Sequence, residues 1–191
     1  MNQGMLRAVV VGLSLSGVPA LAEKPAAPPP APAPKPAPQL DQLKIFLGNW
    51  KCAGKQLASP TSGPEHPFTG SASARLVSDG FWQEFTYEEK KSKDHPGFTL
   101  VGLWGYDAAG KRFIRGAGSS MGGWDSATSI GFTADKMVWT GDLSSPAGHM
   151  PFRQTFTRKG DKEWSARLEL NSQGAWVPLS EVTCTSAPGK K

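Results

Sequence analysis

The chain has 191 residues, of which 38% are hydrophobic, a composition that suits one globular domain with additional segments. Its formal net charge at pH 7 is +5, but the densest basic group is only Lys90-Lys91-Ser92-Lys93. A lysine cluster at a strand end is usually a solvated edge that resists aggregation. The scattered charge therefore argues against nucleic-acid binding.

The N-terminus has the order of a secretory signal peptide. Residues 1–7 end in a positive charge, residues 8–18 are apolar, and Ala20-Leu-Ala22 matches a cleavage site. The apolar run is shorter than the roughly 20 residues of a membrane helix, and a buried N-terminal helix is the alternative interpretation. We predict that residues 1–22 are removed and that the protein is exported, periplasmic or extracellular, with no membrane span.

Residues 23–39 are rich in proline and alanine. This composition favours polyproline II, a semi-rigid spacer of about 3.1 Å per residue, although a disordered linker with no partner is the simpler interpretation. We place the folded domain at residues 40–186 and a disordered tail at 187–191.

One short helix is predicted before the first strand. Residues 40–47 carry apolar side chains at helical spacing, and Gly48 ends the pattern. Apolar and polar residues then alternate, as in residues 81–88, which is typical of half-buried antiparallel strands. Turn sequences such as those at 107–110 and 171–174 separate the alternating runs.

The alternating pattern recurs in about ten segments. They lie near residues 49–57, 68–78, 81–91, 98–107, 112–119, 125–132, 136–143, 150–158, 163–170 and 175–185. Short strands at this spacing, with no second helix, indicate an all-β sandwich or barrel. We expect an antiparallel up-and-down barrel of about ten strands, because closure removes exposed sheet edges.

The two cysteines, Cys52 and Cys184, are predicted to form a disulfide, because an even pair in an exported protein indicates one. Cys52 falls in the first predicted strand and Cys184 in the last, and these strands are neighbours in a closed up-and-down barrel. The bridge would lock the seam and contribute about 4 to 5 kcal/mol in the chain-entropy model.

Two sequence features resemble known barrel families. Gly48-Asn49-Trp50, directly after the helix, resembles the Gly-x-Trp start of lipocalin-like (calycin) barrels. The segments GYDAAGKRF at residues 105–113 and SSMGGW at residues 119–124 resemble a bacterial family of secreted, lipocalin-like proteins of unknown function. This resemblance covers roughly residues 40–185, and it implies a barrel fold without an established activity.

A related ten-stranded barrel, nitrobindin, holds haem through a histidine late in its chain. The closing strand here, VPLSEVTC at residues 177–184, contains no histidine, so haem binding does not carry over. The Arg-x-Tyr pair of intracellular fatty-acid binding proteins is also missing. We therefore expect no cofactor.

The candidate metal ligands and acid–base pairs are best interpreted as ordinary surface side chains. His66, His95 and His149 each lie one or two residues before a proline in a predicted loop and lack the close spacing of a zinc site. Glu84, Glu88 and Glu89 lie on outward positions or at strand ends, where solvated charge is the default. We predict neither a metal site nor a catalytic carboxylate pair.

Residues 118–122, Gly-Ser-Ser-Met-Gly, match the Gly-x-Ser-x-Gly nucleophile elbow at Ser120. That motif requires a strand followed by a helix, whereas another strand-like run follows here. A hairpin bend is the better interpretation, and hydrolase chemistry at Ser120 is the least favoured of three functional hypotheses.

The barrel interior is the main functional candidate. Seven tryptophans and nine phenylalanines supply much aromatic surface for a small domain. The side chains predicted to line a pocket are Phe85, Tyr87, Trp104, Tyr106, Arg115, Trp139, Gln154, Phe156 and Trp164. The leading hypothesis is a binding module for a small apolar or amphipathic ligand. The alternative is a filled barrel that acts as a structural or interaction protein and meets a cell-envelope partner.

Overall fold

The computed structural model describes residues 32–59, 63–93, 96–146 and 148–187. The predicted signal peptide, most of the predicted spacer, most of the predicted tail and His95 lie outside the described residues. Residues 34–37 have no regular secondary structure and lead into a 3-10 helix at Pro38–Phe46. A second, three-residue 3-10 turn at Ser78–Gly80 connects two strands.

The described residues contain eleven antiparallel strands. They are β1 (Gly48–Gln56), β2 (His66–Val77), β3 (Trp82–Glu89), β4 (Phe98–Asp107), β5 (Arg112–Ser119), β6 (Trp124–Ser129), β7 (Phe132–Thr133), β8 (Lys136–Ser145), β9 (Gly148–Arg158), β10 (Glu163–Ser172) and β11 (Ala175–Ser186). Pairing of β1 with β11 and of β6 with β8 closes ten of them into a barrel. The predicted all-β up-and-down barrel is confirmed.

The short strand β7 adds a two-residue ladder to β8 and is not one of the ten closing strands. The sequence pattern predicted a single strand near residues 125–132. The structure ends β6 at Ser129, and Gly131 then adopts a φ of +95°, a left-handed conformation that favours glycine. The turn at Gly131 thus divides what the alternation alone presents as one strand.

The first helix packs one row of apolar side chains into the barrel. Its buried residues Leu40, Leu43 and Phe46 are spaced three apart, and a 3-10 helix of three residues per turn aligns such positions on one side. The Phe46 ring lies 5.2 Å from that of Trp104 and 5.1 Å from that of Phe156, measured between centroids. The predicted short helix is therefore present, as a 3-10 helix that supplies part of the core.

The first and last strands are joined covalently. Cys52 on β1 lies directly opposite Cys184 on β11, with 4.1 Å between their Cα atoms, and the two form a disulfide. Both cysteines are buried in the core cluster. The predicted disulfide at the barrel seam is confirmed.

Candidate ligand cavity

The two ends of the barrel differ. Because the strands run antiparallel, the starts of β1, β5, β8 and β10 share one end, which contains Trp50, Phe113, Met137 and Trp164. The 3-10 helix packs against this cluster, and the Trp50 indole N–H donates to the Phe46 carbonyl oxygen at 2.8 Å. We call this the helix end and the opposite one the open end.

A cavity of about 340 Å³ lies toward the open end. Its lining comes from the later parts of β1, β3, β5 and β8, from the first parts of β2, β4, β6 and β10, and from the middle of β9 and β11. Most of the lining is apolar, with Phe68, Leu100, Leu143, Phe152, Leu168 and Val182 among its members.

Aromatic rings separate the cavity from the helix end. Trp104 lines the cavity and also contacts Phe46 of the helix, so it lies between the two regions. Phe85 stacks on Trp104 with 4.7 Å between ring centroids and 15° between ring planes. Phe156 and Trp164 complete this layer at 5.6 Å from each other. These four residues are the floor of the cavity.

Three polar side chains enter this apolar space. Arg115 shares the inner face of β5 with Phe113 and Ala117, and Asp125 occupies an inner position of β6. Arg115 Nε donates to Asp125 Oδ1 at 3.0 Å and Nη2 donates to Oδ2 at 3.3 Å. Arg115 Nη1 donates to Gln154 Oε1 at 2.6 Å, across the interior from β9. We call Arg115, Asp125 and Gln154 the polar cluster.

The Arg115 guanidinium is held by aromatic rings as well as by its polar partners. It lies 5.0 Å from the ring centroid of Phe152 and 5.5 Å from that of Trp139. Cations within about 6 Å of an aromatic ring centroid are attracted by the ring quadrupole. The guanidinium is therefore fixed in orientation by three independent kinds of contact.

Burial opposes both charges of the ion pair. It lowers the pKa of Arg115 and raises the pKa of Asp125, while each partner acts in the opposite direction. Only 5% of the Arg115 side chain and 7% of the Asp125 side chain are exposed. Because a guanidinium keeps its proton in proteins and the carboxylate accepts two of its N–H groups, the pair is ionised and electrically neutral as a unit.

At the open end, Tyr87 donates a hydrogen bond to Glu89, with 3.1 Å between the Tyr87 hydroxyl oxygen and Glu89 Oε1. Burial, and secondly the negative charge of Glu89, raise the pKa of Tyr87, so its hydroxyl stays protonated. Met121 and Trp124 also line the cavity but are 58% and 56% exposed. Large apolar side chains are thus accessible to solvent at the open end.

Seven of the nine predicted interior residues line the cavity. They are Phe85, Tyr87, Trp104, Arg115, Gln154, Phe156 and Trp164. Trp139 is fully buried beneath the Arg115 guanidinium, and Tyr106 packs on Phe113 at 5.2 Å between ring centroids, so neither belongs to the lining.

Sequence reasoning did not single out Asp125. The available indication was its position in the predicted strand near 125–132, where it shares a face with Ala127 and Ser129. A carboxylate on an inner face demands a partner, and Arg115 on the preceding strand provides one. Arg115 could be identified as the partner of Asp125 only once β5 and β6 were known to pair.

The other chemical candidates lie elsewhere. Ser120 is exposed in the turn between β5 and β6, where its Oγ accepts a hydrogen bond from the Thr99 backbone N–H at 3.0 Å. Glu84 receives two hydrogen bonds from Arg75, each 2.9 Å long. His149 Nδ1 lies 2.6 Å from Ser144 Oγ, and His66 Nδ1 lies 3.1 Å from the Pro64 carbonyl oxygen.

Two further features are absent from residues 32–59, 63–93, 96–146 and 148–187. Among these residues, no group of three or more His, Cys, Asp or Glu side chains is arranged to hold a metal ion. Within the same part of the chain, no helix is long and apolar enough to cross a membrane.

The fold and cavity define a closed ten-stranded antiparallel barrel with an internal, mainly apolar pocket. Residues 35–185 match the family described as "Protein of unknown function (DUF1579)", and the chain belongs to that family. This match and the barrel fold confirm the predicted resemblance to a barrel family of unknown function. No curated protein matches the chain.

Among solved structures, the barrel is similar to the crystal structure of Rv2717c from M. tuberculosis. The two share 14% sequence identity with a TM-score of 0.64, over 81% of this chain and 100% of the other. A redesigned β-barrel is similar over 76% of this chain and 94% of its own, with 12% identity and a TM-score of 0.38. At such identities the likeness to Rv2717c shows the fold alone.

Proposed function

We propose that this protein is a non-catalytic binding module that holds a small apolar or amphipathic molecule in the barrel cavity. The observation that carries the proposal is the cavity of about 340 Å³, with a mainly apolar lining and one compact polar cluster. Ligand pockets of roughly 300 to 1,000 Å³ typically combine such a lining with a few placed polar groups. A filled barrel would have no such space.

The chemistry of the polar cluster supports binding over catalysis. A general acid or base needs a free proton site whose pKa lies near the working pH. Arg115 and Asp125 instead neutralise each other, and Gln154 does not titrate. Ser120 is exposed at a turn whose local structure differs from a strand-to-helix nucleophile elbow.

We also propose that the protein acts outside the cytoplasm. The disulfide between Cys52 and Cys184 supports this location, because structural disulfides persist mainly in oxidising compartments. The signal-peptide pattern in residues 1–22 supports it independently.

The binding function is tested by filling the cavity from one strand. Leu168 lines the cavity, and Leu168→Trp adds bulk to it. We expect the chain from residue 23 onward to bind the uncharged fluorophore N-phenyl-1-naphthylamine saturably. The Leu168→Trp variant should lose at least about tenfold in affinity, since each tenfold step is about 1.4 kcal/mol. The measurement is a fluorescence titration.

Leu103→Trp is the matched control, because Leu103 is 45% exposed and does not line the cavity. This variant should bind the fluorophore as the unaltered chain does. Absence of saturable binding in the unaltered chain, or equal loss in both variants, would contradict the proposal.

A further inference from the structure

We propose that the cavity selects amphiphiles with an uncharged, hydrogen-bonding head group, such as an aliphatic primary amide or alcohol, and excludes carboxylates of the same chain length. This inference rests on the proposed binding function and specifies its ligand class. It follows from the way in which the charges of the polar cluster are arranged.

Arg115 is the only cationic side chain among the residues that line the cavity in the described part of the chain. Asp125 already occupies it with a two-point contact at 3.0 and 3.3 Å. A ligand carboxylate would have to displace Asp125, which is tethered in place, or approach a pair that carries no net charge. A buried charge without compensation is strongly disfavoured.

The remaining charge of the lining also opposes an anion. Asp125 is itself a carboxylate, and Glu89 at the open end is another, there engaged by the Tyr87 hydroxyl at 3.1 Å. A bound carboxylate would therefore find no net positive charge at the polar cluster and a like charge near the entrance. Like charges at close range in a poorly solvated site repel each other.

An uncharged head group finds partners without disturbing the ion pair. Arg115 has five N–H groups, of which Nε, one on Nη1 and one on Nη2 are engaged. Gln154 accepts from Arg115 through Oε1, and its side-chain amide also carries two N–H donors. A carbonyl or hydroxyl oxygen can accept from these donors, while the aliphatic tail lies along the apolar lining.

The first test compares two ligands of nearly identical shape. Decanamide and decanoate are each titrated against bound N-phenyl-1-naphthylamine at neutral pH, where decanoate is ionised. We expect decanamide to displace the fluorophore with an affinity at least about tenfold higher than that of decanoate. Equal or tighter binding of decanoate, or failure of decanamide to compete, would overturn the selectivity. In that case, saturable binding of the fluorophore by the unaltered chain would still support the proposed binding function. The selectivity and the binding function can therefore fail independently.

The second test removes the compensating charge. Asp125→Asn keeps the size of the side chain but leaves Arg115 uncompensated, so the affinity for decanoate should rise at least about tenfold relative to the affinity for decanamide. Asp142→Asn, an exposed change of the same charge on β8, is the control and should leave both affinities unchanged. A decanoate affinity that does not rise relative to the decanamide affinity in folded Asp125→Asn protein would overturn the role assigned to Asp125. The comparison of the two ligands on the unaltered chain needs no variant and stays decisive if Asp125→Asn does not fold.

Discussion

At the scale of single residues, the polar cluster shows how one ion pair can shape a cavity. Replacing a buried ion pair by apolar residues is often neutral or stabilising, so Arg115 and Asp125 are weak evidence for stability. Their position in the lining gives them a different significance. Together they bring hydrogen-bonding capacity into the barrel while adding no net charge to it.

A second ion pair lies on the outer face of the barrel. Arg153 Nε donates to Glu169 Oε2 at 2.5 Å and Nη2 donates to Oε1 at 3.1 Å, while the guanidinium lies 4.8 Å from the Trp176 ring centroid. The pKa of Glu169 is lowered mainly by the hydrogen bonds from Arg153. Arg167, 3.7 Å from Glu169 Oε1, acts in the same direction.

This shift predicts a pH dependence of stability. A carboxyl group whose pKa is lower in the folded than in the unfolded chain stabilises the fold above its ordinary pKa of 4.5. That stability is lost as the pH falls through the folded-state pKa, because the unfolded chain then binds more protons. We expect Glu169→Gln to be destabilised at neutral pH and to lose less stability on acidification than the unaltered chain.

The measurement is urea unfolding at a series of pH values. Glu88→Gln, which removes an exposed carboxylate from β3, controls for the change in net charge. If the free energy of unfolding falls equally with pH in the unaltered chain and in Glu169→Gln, the contact with Arg153 does not cause the predicted pH dependence.

At the scale of elements, the 3-10 helix completes the core at one end of the barrel. Runs of 3-10 helix longer than three or four residues are uncommon, yet this one spans Pro38–Phe46. Its hydrogen-bond geometry is poorer than that of an α-helix, so packing of its three buried side chains is the main source of its stability. The helix therefore depends on the barrel that it closes.

Truncating the middle of this buried row should be costly. Leu43 is 1% exposed, and Leu43→Ala is expected to lower the free energy of unfolding by about 2 to 5 kcal/mol, the range for buried leucines. Leu103→Ala, at a side chain that is 45% exposed, should cost much less. Urea unfolding measures both. Equal effects of the two substitutions would contradict the role of the helix in the core.

At the scale of the whole molecule, closure of the barrel brings together the two ends of the folded chain. The disulfide joins residues 132 positions apart and therefore constrains most of the domain in the unfolded state. The chain-entropy model gives about 5 kcal/mol for a loop of this length.

Removal of the disulfide should thus lower stability without changing the topology. We expect Cys52→Ala/Cys184→Ala to lose about 4 to 5 kcal/mol, measured by urea unfolding against the unaltered chain. A far-ultraviolet circular dichroism spectrum that matches the unaltered chain would show that the barrel persists. A loss below about 1 kcal/mol would contradict the entropic argument.

The sequence by itself determined the strands, their inward and outward faces and the cysteine pair. The alternation of Phe85 and Tyr87 with Thr86 is a local consequence of the two-residue period of a strand, and it needs no knowledge of the neighbours. The ten predicted segments accordingly coincide with the ten closing strands. Gly131 was the local exception, because its left-handed backbone interrupts a continuous pattern.

Only the tertiary structure decided what the interior contains. Arg115 and Gln154 lie 39 positions apart on strands that do not pair, and their contact depends on the curvature and closure of the whole barrel. The same closure places Trp139 beneath the guanidinium and leaves Trp104 in the cavity floor. A side-chain pattern fixes which face a residue occupies, whereas the distance across a barrel is set by strand number and tilt.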